Sequence, residues 1–358
     1  MIPTSHKSIC LDQKQLRRSK SLTVFFLLGI LLELLSSGAR GQEFEASGFI
    51  LRNHSPFSAI VGIPGRWPDG TNNLAELSWN VSNHSFYENK GAESLLLDGE
   101  TQSVSMRLQH RFSPRIQVGA DIPWLAHSGG FLDSAINDWH DLTGLPEGVR
   151  PQLRNNELHY IYRVNGSDVF ILEEPASGLG DLQVNLAIAL GKLNNPVDAS
   201  YLKRLGWALK LTTQLPTGDV AKLTGNGSTD LAAGFGVRSP RTRVARLNWW
   251  LDLGIAWPGD IDIVGLNTAA QVFYYDAALT WRIHKRFDIL AQVAGDSGRY
   301  QSNIKMLGHP AAQIALGGLW HIFKNYGLRF GVTEDIRAKT APDVGLEITL
   351  IFKAYGEH

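Results

Sequence analysis

From Glu100 to Trp124 the chain alternates with a period of two residues, twice over. Val104, Met106, Leu108, His110 and Phe112 share one parity; Ser103, Ser105, Arg107, Gln109 and Arg111 share the other. After Ser113-Pro114 the pattern restarts, with Ile116, Val118, Ala120, Ile122 and Trp124 set against Gln117, Gly119 and Asp121. Alternation of this kind is a β-strand with one apolar and one polar face. Pro pre-sets a turn φ and cannot donate to a ladder, so Ser-Pro between two such runs is a hairpin turn. Each run is about ten residues long, enough to cross a bilayer when tilted.

The unit recurs. Similar alternation covers 75–81, 182–190, 205–211, 231–237, 247–257, 273–281, 287–293, 314–322, 326–332 and 344–352, giving twelve candidate strands with the opening hairpin. Connections at 113–114, 284–286 and 323–325 are very short. Those at 84–99, 125–179, 216–229, 258–269 and 297–310 are long, with 335–342 the shortest of that set. Short turns on one side and long loops on the other mark an outer-membrane barrel, and an even strand count brings both ends to the short-turn side. The expected fold is all-β: an antiparallel transmembrane barrel of about twelve strands over 74–354, with one long extracellular loop, 125–179, carrying a short helix. A soluble β-sandwich also alternates, but its strands are shorter and its outward face is polar.

The polar parity carries charge. Glu76, Arg107, Arg111, Asp121, Lys210 and Arg238 fall on it, as do Asp252, Asp276, Arg282, Asp288, Arg329 and Glu347. These twelve are the candidate lumen-lining residues, either watered or closed by ion pairs. Seven of the ten tryptophans fall on the apolar parity. In one strand Trp249 and Trp257 are eight residues apart, roughly 20 Å along the membrane normal, which suits two aromatic girdles.

Residues 1–41 read as a secretory signal: a basic stretch (Lys14, Arg17, Arg18, Lys20), an apolar run from Leu22 to Leu35 and small residues at Ala39 and Gly41. Without them 28 basic residues remain against 32 acidic, so no basic excess points to nucleic acid. The one cysteine, Cys10, lies inside the signal, which leaves the exported chain without thiolate metal sites or disulfides. Residues 42–73 are irregular, and either a periplasmic lead-in or a luminal segment fits them.

In the long loop His127, Leu132, Ile136 and Trp139 are the candidate gating residues, because Leu132, Ile136 and Trp139 recur at helical spacing and need an apolar surface to cover. The nearby His and Asp residues are the ordinary content of a solvated loop, so neither a metal nor another cofactor is expected. A barrel-embedded lipid hydrolase is disfavoured: His-x-Ser occurs only at His6-Lys7-Ser8, and GxSxG, Walker and HExxH patterns are missing. No enzyme activity is expected.

Three Gly/Asp clusters lie where loops meet strands: Gly178 to Leu182, Leu215 to Asp219 and Gly227 to Asp230. Gly supplies positive φ and Asp caps turns, which accounts for them structurally. GLGDL followed by LPTGD also resembles outer-membrane channels that accompany bacterial aromatic-degradation pathways. With Leu95 to Thr101 (LLLDGET), His127 to Asp133 (HSGGFLD), Trp139-His140 and Gly144-Leu145-Pro146, the chain is similar, over roughly 52–352, to a bacterial family of unknown function, DUF3187. That resemblance implies an outer-membrane barrel and lends no catalytic residue. The C-terminus departs from a common barrel ending, since Gly356-Glu357-His358 follow Tyr355.

The expected function is uptake of small, apolar or aromatic solutes through an outer-membrane channel. The alternative is a closed structural or interaction barrel without transport. The expected partners are membrane lipid, the barrel-insertion machinery and a small solute.

Overall fold

The computed structural model describes residues 48–51, 54–57, 73–143, 149–190, 205–240, 246–323, 325–337, 340–342 and 344–354. Residues 1–41, expected from the sequence to be a signal, and those beyond Ala354 lie outside them.

Alternation becomes a closed sheet. The wall strands are β1 (Asn73–Lys90), β2 (Glu93–Arg111), β3 (Ile116–Ser128), β7 (Leu182–Leu190), β8 (Gly206–Leu215), β9 (Asp230–Arg238), β10 (Leu247–Trp257), β11 (Val272–His284), β12 (Phe287–Asp296), β13 (Ala311–Phe323), β14 (Tyr326–Asp335) and β15 (Val344–Ala354). Each pairs antiparallel with its neighbours, and β1 closes on β15 from Asn73↔Ala354 to Asn83↔Val344. The result is a twelve-stranded antiparallel barrel.

The apolar parity points outward. Leu77 is 48% exposed and Trp281 53%, whereas the neighbours of Leu77, Glu76 and Ser78, are 1% and 0%. Tryptophans gather in two bands. Trp79 and Trp124 both face Val104 across the ladder near the long-loop end. Trp281 pairs with Leu247, and Trp320 with Phe287, near the short-turn end. Between the bands the outer face is the lipid belt. Leu251 lies within it, 37% exposed. Leu251→Arg should cost roughly 2–4 kcal/mol and depress the yield of heat-modifiable, folded protein on a gel. Leu251→Ala should leave that yield close to wild type.

Two long connections differ from expectation. Residues 84–99 are mostly strand: β1 and β2 continue past the belt to a tight turn at Gly91, whose φ of +62° suits glycine. This overhang survives because a second hairpin, β4 (His159–Val164) and β5 (Ser167–Leu172), adds to the edge of β2. Residues 125–179 are likewise structured. β3 runs to Ser128, a helix α1 (Asp133–Thr143) follows, and the short β6 (Ala176–Leu179) returns alongside β3. Gly180 then donates its N–H to the Pro123 carbonyl at 2.7 Å and the chain re-enters the wall as β7.

Candidate functional site: a plugged lumen beneath an apolar cap

Inward-facing polar residues need partners, because the wall shields them from water. The structure supplies them in three groups. Arg329, fully buried, donates Nε to Glu347 Oε1 at 2.7 Å and Nη1 to Glu76 Oε1 at 3.4 Å. Arg107 continues the chain to Asp121 at 2.9 Å, with Glu76 at 3.7 Å. On the opposite wall Lys210 pairs with Asp252 at 2.8 Å, and Asp276 accepts from Gln292. Nearer the short turns Arg282 and His321 both bond Asp288. Arg111 and Arg238 are half-buried near the same rim. The lower lumen is therefore bound up in ion pairs.

A segment outside the wall adds to the filling. Phe49 donates its N–H to Gln292 Oε1 at 2.7 Å, and Ile50 donates to Glu347 Oε2 at 2.9 Å. The side chains of Phe49 and Leu51 occupy an apolar socket of Ala278, Leu290 and Ala315. Two of these three luminal positions are alanine, which leaves room for the incoming side chains. At Gly331 even a Cβ would meet the Phe49 ring. Further along, the Tyr300 hydroxyl donates to the Phe57 carbonyl at 2.5 Å. Residues 48–51 and 54–57 thus form a luminal strap.

Above the upper tryptophan band the luminal parity of β1 and β2 turns apolar, at Phe86, Leu95 and Leu97. These pack with Tyr160 and Tyr162 of β4, with Leu223, Ile261 and Leu266 from two loops, and with Tyr300 and Ile304 from a third. The cap closes the mouth. Buried acids hold its loops together. Asp181 accepts from the backbone N–H groups of Gly218 and Asn226 and from Gln214. Asp230 pairs with Arg299 at 3.2 Å and accepts from Asn226 and the Gly259 N–H. The Gly/Asp clusters thus join loop to loop.

His127 sits under the cap. Its Nε2 lies 3.0 Å from the Leu223 carbonyl, which can only accept, so Nε2 carries the proton. Nδ1 then accepts from the Thr101 hydroxyl at 3.0 Å, and Thr101 in turn meets His84 Nε2 at 3.1 Å and the Tyr160 hydroxyl at 3.3 Å. Burial, ahead of any charge, lowers His84 to about 3 and His127 to about 4, so both are neutral.

The other expected gating residues lie elsewhere. Leu132 and Ile136 pack on Val81 beside Trp79, Val344 and Leu346, which belong to the outward parity. α1 therefore lies against the outside of the rim; it does not enter the mouth. A stripe at helical spacing needs an apolar surface, and the outer rim meets that need as well as the lumen would. Trp139 is within α1, with its side chain outside the described residues. Polar contacts fix this outer loop: Arg150 reaches Asp133 and Asn83, and Glu100 accepts from the Phe131 and Leu132 N–H groups. Among the described residues no group of three or more His, Cys, Asp or Glu is placed to hold a metal ion.

Asp98 faces the same outer rim, opposite His159. Burial, then the charge of Asp133, pushes its carboxyl from 3.8 up to about 7. A raised carboxyl favours the fold when protonated, so its contribution is full below pH 3.8 and is lost as pH rises through about 7. Proteolysis of residues 129–157 should accelerate between pH 5 and pH 8, windows set by that shift. Asp98→Asn should flatten the profile; an unchanged slope would remove Asp98 as its cause.

The barrel superposes on an outer-membrane channel from Pseudomonas putida F1 with a TM-score of 0.51 at 8% identity, covering 79% of this chain and 96% of that one. The toluene transporter TodX of P. putida aligns at a TM-score of 0.38 and 10% identity, over 80% and 91% of the two chains. The monoaromatic hydrocarbon channel CymD aligns at 0.38 and 10%, over 80% and 90%. The first likeness shows the fold of an outer-membrane barrel. No curated protein matches the chain. A family model does, over residues 28–354, and the chain belongs to that family, described as a protein of unknown function (DUF3187).

Proposed function

We propose that the protein is an outer-membrane channel for small solutes, closed in this state by the strap and the cap. Lipid and the barrel-insertion machinery are its partners in the membrane, and membership in a family resembling channels of aromatic-degradation pathways favours apolar or aromatic cargo. The observation that carries the channel reading is the strap. A barrel filled only for stability is filled by its wall side chains, as small barrels are. Here a separate segment fills a socket of two alanines and a leucine and is held by few main-chain hydrogen bonds. Such a segment can leave while the wall stays closed.

Phe49→Asp with Leu51→Asp tests this. Each buried apolar side chain holds the strap by roughly 1.5–3 kcal/mol, so the pair should shift its release equilibrium by roughly 10²–10⁴. Liposomes carrying the variant should pass small neutral solutes faster than wild type. The closed structural barrel is the second reading, favoured by the ion pairs that fill the lower lumen. A variant that remains heat-modifiable yet impermeable would decide for it.

A further inference from the structure

Between strap and cap the lumen keeps a cavity of about 70 Å³. Its two walls differ. Phe57, Leu125, Leu223 and Ile261 make one side apolar. Opposite stand Asn80 of β1 and Ser103 and Ser105 of β2, with Asn80 and Ser103 paired in register. These three are 5%, 5% and 6% exposed, and their side chains form no hydrogen bond among the described residues. Buried polar groups in a protein wall ordinarily find a partner, and leaving them without one is costly. Their hydroxyl and amide groups point at the cavity. The remaining polar lining is already engaged: Gln183 donates to Gln214, Gln214 to Asp181, and His127 has used both ring nitrogens. No Lys or Arg lines this cavity, in contrast to the paired charges below it.

We propose that this cavity is a binding site for a small neutral amphipathic solute. An alcohol or phenol matches its lining, with the hydroxyl on Asn80, Ser103 and Ser105 and the apolar body against Phe57 and Leu223. The site deepens the channel reading and rests on it for its physiological meaning. Anionic solutes are excluded because the lining, which includes the carboxylate of Asp181 and neither Lys nor Arg, offers a desolvated anion no counter-ion. At about 70 Å³ the closed state holds a few waters, against the 150 Å³ of an engineered benzene site. One wall is the strap, so a solute enters by pushing residues 54–57 aside.

The test is saturation-transfer NMR of phenol and of benzoate on the full-length barrel in deuterated detergent. Phenol should bind saturably and benzoate should not. Ser103→Ala with Ser105→Ala, checked for heat-modifiable migration, should weaken phenol roughly tenfold, the loss of one or two hydrogen bonds. Phe57→Ala should weaken it through the other wall. Equal affinity in wild type and in the serine double variant overturns the site, as does benzoate binding as well as phenol. Saturable, serine-dependent phenol binding in a barrel that stays impermeable after strap release would keep the site and remove the channel.

Discussion

Arg329→Ala should prevent stable assembly of the barrel. The guanidinium is fully buried, and its loss strands Glu347, bonded at 2.7 Å, and weakens the pairing of Glu76 at 3.4 Å, both acids being nearly inaccessible to water. Breaking a buried pair by removing one partner costs about 3–5 kcal/mol, because the survivor stays charged and desolvated. Glu347 loses its cation, Glu76 keeps Arg107 at 3.7 Å, and Thr349 loses a donor as well. The three strands involved, β14, β15 and β1, form the seam where the sheet closes. Urea unfolding followed by the heat-modifiable gel shift should show the midpoint fall sharply. Replacing Arg329 with Met and both acids with Gln should recover much of the loss, since a fully neutral set leaves no stranded charge. If Arg329→Ala is as stable as wild type, the seam is not held by this network.

The second large effect belongs to the cap. Asp230→Ala removes the acceptor shared by Arg299, Asn226 and the Gly259 N–H, and leaves a guanidinium that is 1% exposed without its carboxylate. The cost is again about 3–5 kcal/mol, and it falls on loops rather than on the wall. The three loops tied by Asp230 should loosen together, so limited proteolysis should cut within 216–229, 258–271 and 297–310 while the barrel core stays protected. Cleavage confined to one loop would mean that the apolar cluster, not Asp230, binds the cap.

The wall was legible in the sequence because a sheet shielded on one side and lipid-bathed on the other writes its parity into every strand. Leu251 against Asp252, and Ile348 against Glu347, differ by one position and by nearly everything else. The ion pairs were half legible: the charges stood on the right parity, but which acid meets which base depends on the registers, such as Arg107↔Asp121. Register alone decides that Asp252 meets Lys210, which is bonded to it and 2% exposed. The cap was missed, although a signal existed. On the luminal parity Glu76, Ser78, Asn80 and Ser82 give way to Phe86, and Leu95 and Leu97 mirror it on β2. A polar face that turns apolar beyond the belt marks a closed mouth. The strap had no such signature. Phe49 and Leu51 sit in an irregular stretch, and their socket is made of Ala278, Leu290 and Ala315, far along the chain. Helical spacing at Leu132 and Ile136 showed that a surface would be covered and was silent on which.

The strap's anchors also order the events of assembly. Ile50 bonds to a residue 297 positions later in the chain, and Phe49 and Phe57 each to one 243 positions later. The earliest described part of the polypeptide is thus received by nearly the last. Until β15 is made and laid beside β14, Glu347 is not in place. The stopper can be seated only in a vessel already complete, and every earlier intermediate is an unstoppered one.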